Sequence, residues 1–171
     1  MRSLNAAVAS LSLVLVTIVA ALPWGLSPQL RFILPQIPFV AIHIWMMREE
    51  GAIAVWLILI CGLSIDVVSG GPLGYWSLTY LVGYVLAAFS WPLTARDSWL
   101  GRWGHFTISA VLLAAFEWAL AALYYLEFSS VAPFALAAGV AIALYPIASS
   151  LLRLFASEPA RPAFPPVVRG R

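Results

Sequence analysis

Six stretches of the chain, roughly 6–23, 31–47, 51–69, 72–93, 104–126 and 131–154, are almost uniformly apolar, and short polar or glycine- and proline-bearing breaks separate them. Each is close to the length of about 20 residues that a helix needs to cross about 30 Å of hydrocarbon. The breaks are chemically sensible. Pro23, Gly25 and Pro28 close the first stretch, Arg48-Glu49-Glu50-Gly51 parts the second from the third, and Gly70-Gly71-Pro72 parts the third from the fourth. Arg96 to Gly104 and Glu127 to Pro133 form the remaining two. The pattern predicts an all-α integral membrane protein of six transmembrane helices, residues 1–155, with the first stretch read as a span rather than as a cleaved leader.

Composition agrees with the pattern: 63% of the 171 residues are apolar, 9% are charged and the mean hydropathy is +0.97. There is no lysine, so the positive charges are arginines, and their placement orients the chain. With the amino terminus inside, Arg2, Arg48, Arg96, Arg102, Arg153, Arg161, Arg169 and Arg171 all fall on the cytoplasmic side and Arg31 alone falls outside. That bias predicts both termini in the cytoplasm, with the chain multi-pass in the membrane. Residues 156–171, ASEPARPAFPPVVRGR, are too rich in proline and arginine to build a helix or a core, and are expected to form a disordered cytoplasmic tail. The lone Cys61 lies in an apolar run and reads as a small packing residue.

Polar groups inside the apolar runs are the places to look for chemistry, because an ionisable side chain in hydrocarbon needs a partner or a wet cavity. Counted along the helices at about 1.5 Å per residue, Asp66 lies roughly 8 Å from the outer edge of the bilayer core. Gln36, Thr79 or Tyr80, and Glu117 fall at roughly 8 to 12 Å by the same count, so an intramembrane polar layer of Gln36, Asp66, Tyr80 and Glu117 is expected. Glu117, in the middle of LLAAFEWALAALYY, should be neutral or hydrogen-bonded across helices. Asp66 precedes the reversal Gly70-Gly71-Pro72-Leu73-Gly74, whose glycines permit positive φ and whose proline suits the first turn of the fourth helix. The acid is therefore expected to anchor the amino-terminal turn of that helix at Pro72 to Tyr75, with Arg31 reaching inward as an ion-pair partner.

The remaining features read as structural. Gln36 and His43 share a helix face, Pro35 and Pro38 should kink that helix and free a carbonyl, and His43 is expected to be a packed residue. Trp24, Trp45, Trp76, Trp91, Trp99 and Trp103 fall at predicted helix ends, as in an aromatic belt. Thr79-Gly83-Ala87 and Ala135-Gly139-Ala143 have the spacing of helix-packing faces. No nucleophile with a base, metal-ligand spacing, phosphate-binding glycine loop or paired interfacial acids is legible, so no catalytic, cofactor or metal site is expected.

The segment CGLSIDVVSGGPLGYWSLTYLVGY, residues 61–84, resembles the signature region of the rod shape-determining MreD family. The resemblance lies in an acid after Gly-Leu, a glycine-rich loop ending in Pro-Leu-Gly, and a following helix with small residues and tyrosines. LPQIPFVAIHIWMM, residues 34–47, and the six-span layout are also similar. The resemblance implies a non-enzymatic membrane adaptor of the bacterial cell-elongation and peptidoglycan-synthesis machinery. Its partners would be a bitopic MreC-like protein and, through it, an MreB-like filament and the peptidoglycan synthases, with no nucleic acid and no cofactor. The family's fold is also similar to that of vitamin-uptake substrate-binding subunits, which implies as alternative an outward pocket lined by Gln36, Asp66, Tyr80 and Glu117 for a small molecule.

Overall fold

The computed structural model describes residues 2–25, 27, 30–48, 51–94 and 98–155. The tail from 156 onward, with Pro28, Glu49, Glu50 and Arg96, lies outside the described residues. The described chain is all-helical, with α1 (Arg2–Ala21), α2 (Gln36–Arg48), α3 (Val55–Ser69), α4 (Tyr75–Thr94), α5 (Trp99–Tyr125) and α6 (Ala132–Phe155). Three of these contain stretches long and apolar enough to cross a membrane, Leu4–Ala21, Trp99–Tyr125 and Ala132–Leu152, while Val55–Ser69 and Tyr75–Phe89 are shorter apolar helices.

Where the helix ends depart from the sequence pattern, local chemistry explains it. The second apolar run divides into a series of turns, in which the Gln36 and Ile37 amides donate to the Ile33 and Leu34 carbonyls, and a helix that starts only after Pro35. Pro38 falls in the first turn of α2, where a missing N–H costs nothing, so the expected kink is instead a helix start. α3 begins at Val55 because Gly51 holds φ +76 and the chain turns through Ala52 and Ile53, which are buried. α5 begins earlier than the apolar pattern, at Trp99, because the Ser98 hydroxyl accepts from the Gly101 amide as an amino-terminal cap.

α1, α3, α4, α5 and α6 pack in sequence around α2, which touches α1, α4 and α6. Accordingly Gln36 and every residue from Pro38 to Met47 is buried, and α2 has no polar face. The outer faces are the reverse of a soluble protein's: Leu11 and Leu15 on α1, Leu59, Ile60 and Leu63 on α3, Val111 and Leu112 on α5, and Ile147 and Leu151 on α6 are all exposed. Apolar surface continued over so many helices fits a hydrocarbon surround.

Two close approaches tie the centre together. Gly83 of α4 faces the Phe39 ring of α2, which would lie 2.7 Å from any added Cβ. Gly62 of α3 lies against the α4 backbone, where a Cβ would sit 2.4 Å from the Ser77 Cα. The expected face Thr79-Gly83-Ala87 is thus a packing face, buried throughout. Ala135-Gly139-Ala143 is not: all three are exposed, and α6 packs instead through Phe134, Ala137, Ala138, Ala141 and Tyr145.

The tryptophans also divide. Trp24 is exposed, and Trp99 stacks on Trp103 with centroids 6.0 Å apart, as interfacial residues do. Trp45 and Trp76, by contrast, are core residues. Trp45 donates from its indole to the Ser12 hydroxyl at 2.8 Å, and Trp76 lies 6.2 Å, centroid to centroid, from Phe32. Cys61 is buried and free, as a packing residue would be.

Candidate functional site

α3 ends at Gly70, which takes the left-handed conformation with φ 64 and ψ 18, the usual way of closing a helix whose last carbonyls need partners. The chain then passes Gly71, Pro72 and Leu73 and reaches Gly74, with φ +93. Gly74 is the residue whose carbonyl accepts the first intrahelical bond of α4, from the Leu78 amide at 2.9 Å, so it occupies the amino-terminal cap position. A cap residue normally supplies a side-chain oxygen to the amides two and three positions on, but the positive φ selects glycine, which has none.

Asp66 supplies that oxygen from the preceding helix. Its Oδ1 accepts from the Trp76 amide at 2.8 Å, and its Oδ2 accepts from the Gly74 amide at 2.9 Å, from the Ser77 hydroxyl at 3.1 Å and, at 3.4 Å, from the Ser77 amide. The carboxylate therefore faces the positive end of the α4 dipole while only 1% exposed. It can lie this close because Gly62, one turn earlier on α3, has no side chain to hold the two backbones apart. Leu73 is exposed at the tip of the hairpin, and Pro72 precedes α4, three residues before its first helical residue, its carbonyl accepting from the Tyr75 amide at 3.2 Å.

The expected anchor at the start of α4 is thus present, but its Arg31 arm is not. Arg31 is exposed and makes no ion pair with Asp66. The carboxylate is bonded instead to the Gly74 and Trp76 amides and the Ser77 hydroxyl, all from the start of α4.

Neither family models, nor curated proteins, nor solved structures yield a match to this chain. The site is accordingly read from its own geometry.

The polar layer is brought together in part. Gln36 of α2 donates from Nε2 to both carboxyl oxygens of Glu117 on α5, each at 2.9 Å, and Glu117 is fully buried. Tyr75, in the first turn of α4, donates to the Glu117 backbone carbonyl at 3.1 Å, while Tyr80 donates to the Pro35 carbonyl at 2.7 Å. Asp66 does not join Gln36 and Glu117 directly. The first two turns of α4 link them, carrying the amides that bind Asp66 and the two hydroxyls that reach α5 and the start of α2. Thr79 lies between these groups in sequence, and its hydroxyl is buried with no partner.

Glu117→Gln keeps an oxygen for the Gln36 amide to bind, whereas Glu117→Leu leaves that amide buried without an acceptor, at a cost of about 1–3 kcal/mol. Membrane levels and the unfolding temperature of the purified protein are expected to hold for the glutamine variant and to fall for the leucine variant.

His43 is the packed residue that sequence reading expected, and it is more isolated than that reading required. Its ring lies 5.0 Å from Phe106 and 5.6 Å from Tyr145, centroid to centroid, and neither nitrogen has a hydrogen-bond partner. No spacing rule could have shown this aromatic enclosure, which joins residues from α2, α5 and α6. Among the described residues no group of three or more His, Cys, Asp or Glu could hold a metal ion. Of Gln36, Asp66, Tyr80 and Glu117, Gln36 alone borders the groove between α2 and α6. The groove beside Gln36, of about 180 Å³, is otherwise bounded by aliphatic side chains of α2 and α6.

Proposed function

We propose that this protein is a non-enzymatic adaptor of the MreD type, a six-span protein of the bacterial inner membrane with both termini in the cytoplasm. It would hold a bitopic MreC-like protein and, through it, the filament and the synthases of cell elongation. The arginine distribution supports the orientation. α2 and α3 are the shortest helices, and their spans are completed by the turns at 30–35 and 51–54.

The observation that carries the reading is the fate of the acid in residues 61–84. The segment that resembles the family signature folds as one hairpin, and its acid is wholly engaged in capping α4. That leaves an adaptor's equipment, a rigid helical scaffold with an apolar exterior. A vitamin-uptake subunit would need the same polar groups turned toward a cavity, whereas Gln36, Glu117, Tyr80 and Asp66 are bonded within the bundle.

The test is purification of the tagged protein from cross-linked membranes of the rod-shaped bacterium that makes it. Stoichiometric recovery of the MreC-like protein is expected, with no thermal stabilisation by vitamins, since a ligand raises stability only if it binds the folded state. Recovery of the protein at normal levels without that partner, or a clear thermal shift with a vitamin, overturns the adaptor reading.

A further inference from the structure

A proline inside a helix leaves the carbonyl four residues before it without its usual amide. In α6 the proline is Pro146, and the carbonyl belongs to Ile142. A donor from another helix takes the empty place: the Trp103 indole N–H of α5 reaches the Ile142 carbonyl at 3.1 Å. The Pro146 carbonyl is in turn shared, accepting from the Ser149 hydroxyl at 3.0 Å and from the Ser150 hydroxyl at 2.7 Å. Hydroxyls that bond back to the ladder in this way favour bending. Between Ile142 and Ser150, then, α6 has a joint where its own backbone bonding is weakest.

The two sides of this joint are held unequally. Before it, Phe134, Ala137, Ala138, Ala141 and Tyr145 are buried, and the Tyr145 ring stacks on Phe106 with centroids 4.2 Å apart. From Ile147 to Leu152 only Ser149 is buried, while Ile147, Ser150 and Leu151 are exposed. The groove toward α2 runs across the joint. On α6 it is walled by Leu144 before Pro146 and by Ile147 and Ala148 after it, opposite Ile37 and Val40 of α2. Trp103 is no part of that lining, so the indole bond ties α6 to α5 while the empty space lies toward α2.

We propose that α6 is hinged at Pro146, that the segment after it swings toward α2 to close the groove, and that the Trp103 bond to Ile142 is the latch holding it on the α5 side. Closure brings Ile147 and Ala148 onto Val40 and Ile37, aliphatic surface on aliphatic surface, while the part of α6 before Pro146 stays seated on Phe106 and Phe32. The joint couples the carboxy-terminal end of α6 to the width of the groove. It rests on the packing of the bundle alone and does not depend on the adaptor reading.

Pulsed electron-spin distance measurements on the full-length protein in lipid nanodiscs test this. With Cys61 replaced by alanine, one pair of spin labels is placed at the exposed positions Val55 on α3 and Ser150 on α6, beyond the joint. A control pair is placed at the exposed positions Val67 on α3 and Leu136 on α6, before it. The first pair is expected to show a main separation and a minor, shorter one, and the control pair a single separation. Trp103→Phe keeps a ring but loses the N–H, and loss of that one hydrogen bond should raise the ratio of the shorter to the main population roughly fivefold. Pro146→Ala restores an amide for the Ile142 carbonyl, so it should remove the shorter population and make Trp103→Phe without effect. A single separation for the first pair in both the original protein and Trp103→Phe overturns the hinge. So does a shift of the control pair in Trp103→Phe, which would mean a loosened bundle, or a Trp103→Phe effect that survives Pro146→Ala. If Trp103→Phe fails to accumulate, Pro146→Ala decides alone, because an unchanged distance distribution in it overturns the proposal.

Discussion

Asp66→Ala is expected to be the most damaging single truncation in the protein. It removes the acceptor for the Gly74 and Trp76 amides and the Ser77 hydroxyl at once, and the bonds to Trp76 and Ser77 are buried. Each buried donor left without an acceptor costs about 1–3 kcal/mol, so losing several at once removes a large part of the stability of a domain this size. Membrane levels should fall several-fold, and the residual protein should show proteolytic cleavage near residues 70–75, where the cap has been lost. Asp66→Asn should be intermediate. Its carbonyl can still accept on one side of the cap, but its NH2 then faces donors on the other, and only the Ser77 hydroxyl can turn to accept from it. The comparison has a sharp reading. If Asp66→Asn accumulates normally yet loses the co-purifying partner as completely as Asp66→Ala does, the carboxylate serves recognition and the capping role is secondary.

Gly62→Ala should rival that effect by an opposite route, adding one methyl where none fits. The new Cβ would lie 2.4 Å from the Ser77 Cα and 2.6 Å from its nitrogen, and both are backbone atoms that cannot swing aside. α3 and α4 would have to separate, stretching the bonds from Asp66 to the α4 amides. Overpacking a site this rigid costs about 3 kcal/mol or more. Thermal unfolding of the purified variant, or its yield when purification fails, measures the cost. Because both substitutions act through the same hairpin, Gly62→Ala combined with Asp66→Ala should cost clearly less than the two added together. Full additivity would mean that the two residues support different parts of the bundle.

Much of the helix layout was legible because a run of about 20 apolar residues leaves few alternatives. Asp66 was legible for a related reason. A carboxylate within a turn of a glycine-rich reversal has the next helix's free amides as its nearest donors, whatever the rest of the fold does. Sequence reading erred where depth stood in for direction. Counting residues put Asp66 within reach of an inward-turned Arg31 side chain, but whether two side chains meet depends also on helix rotation, which position along the chain does not encode. The same shortfall sent Trp45 and Trp76 to the membrane surface when their rings turn inward. It also put Ala135-Gly139-Ala143 on the packing side of α6, where bulkier Phe134 and Tyr145 face the bundle instead. Gln36 and Glu117, two members of the expected polar layer, meet across 81 residues because two polar groups at one depth in an apolar interior have few other places to go. The groove between α2 and α6 had no such signal, since it is a packing remainder set by the shapes of aliphatic side chains.

α2 is synthesised second, yet the helices that enclose it include α4 and α6, made much later. As the chain is inserted, Gln36 and His43 must therefore wait against lipid or against the insertion machinery until Glu117 and Tyr145 arrive to surround them. α3 and α4, by contrast, complete their shared cap within a dozen residues of synthesis. Biogenesis should then proceed as an early, self-sufficient hairpin followed by a late closure around the second helix. The seam at α6 is the last to shut, and it is there that chaperones or quality-control proteases of the membrane would meet an unfinished molecule.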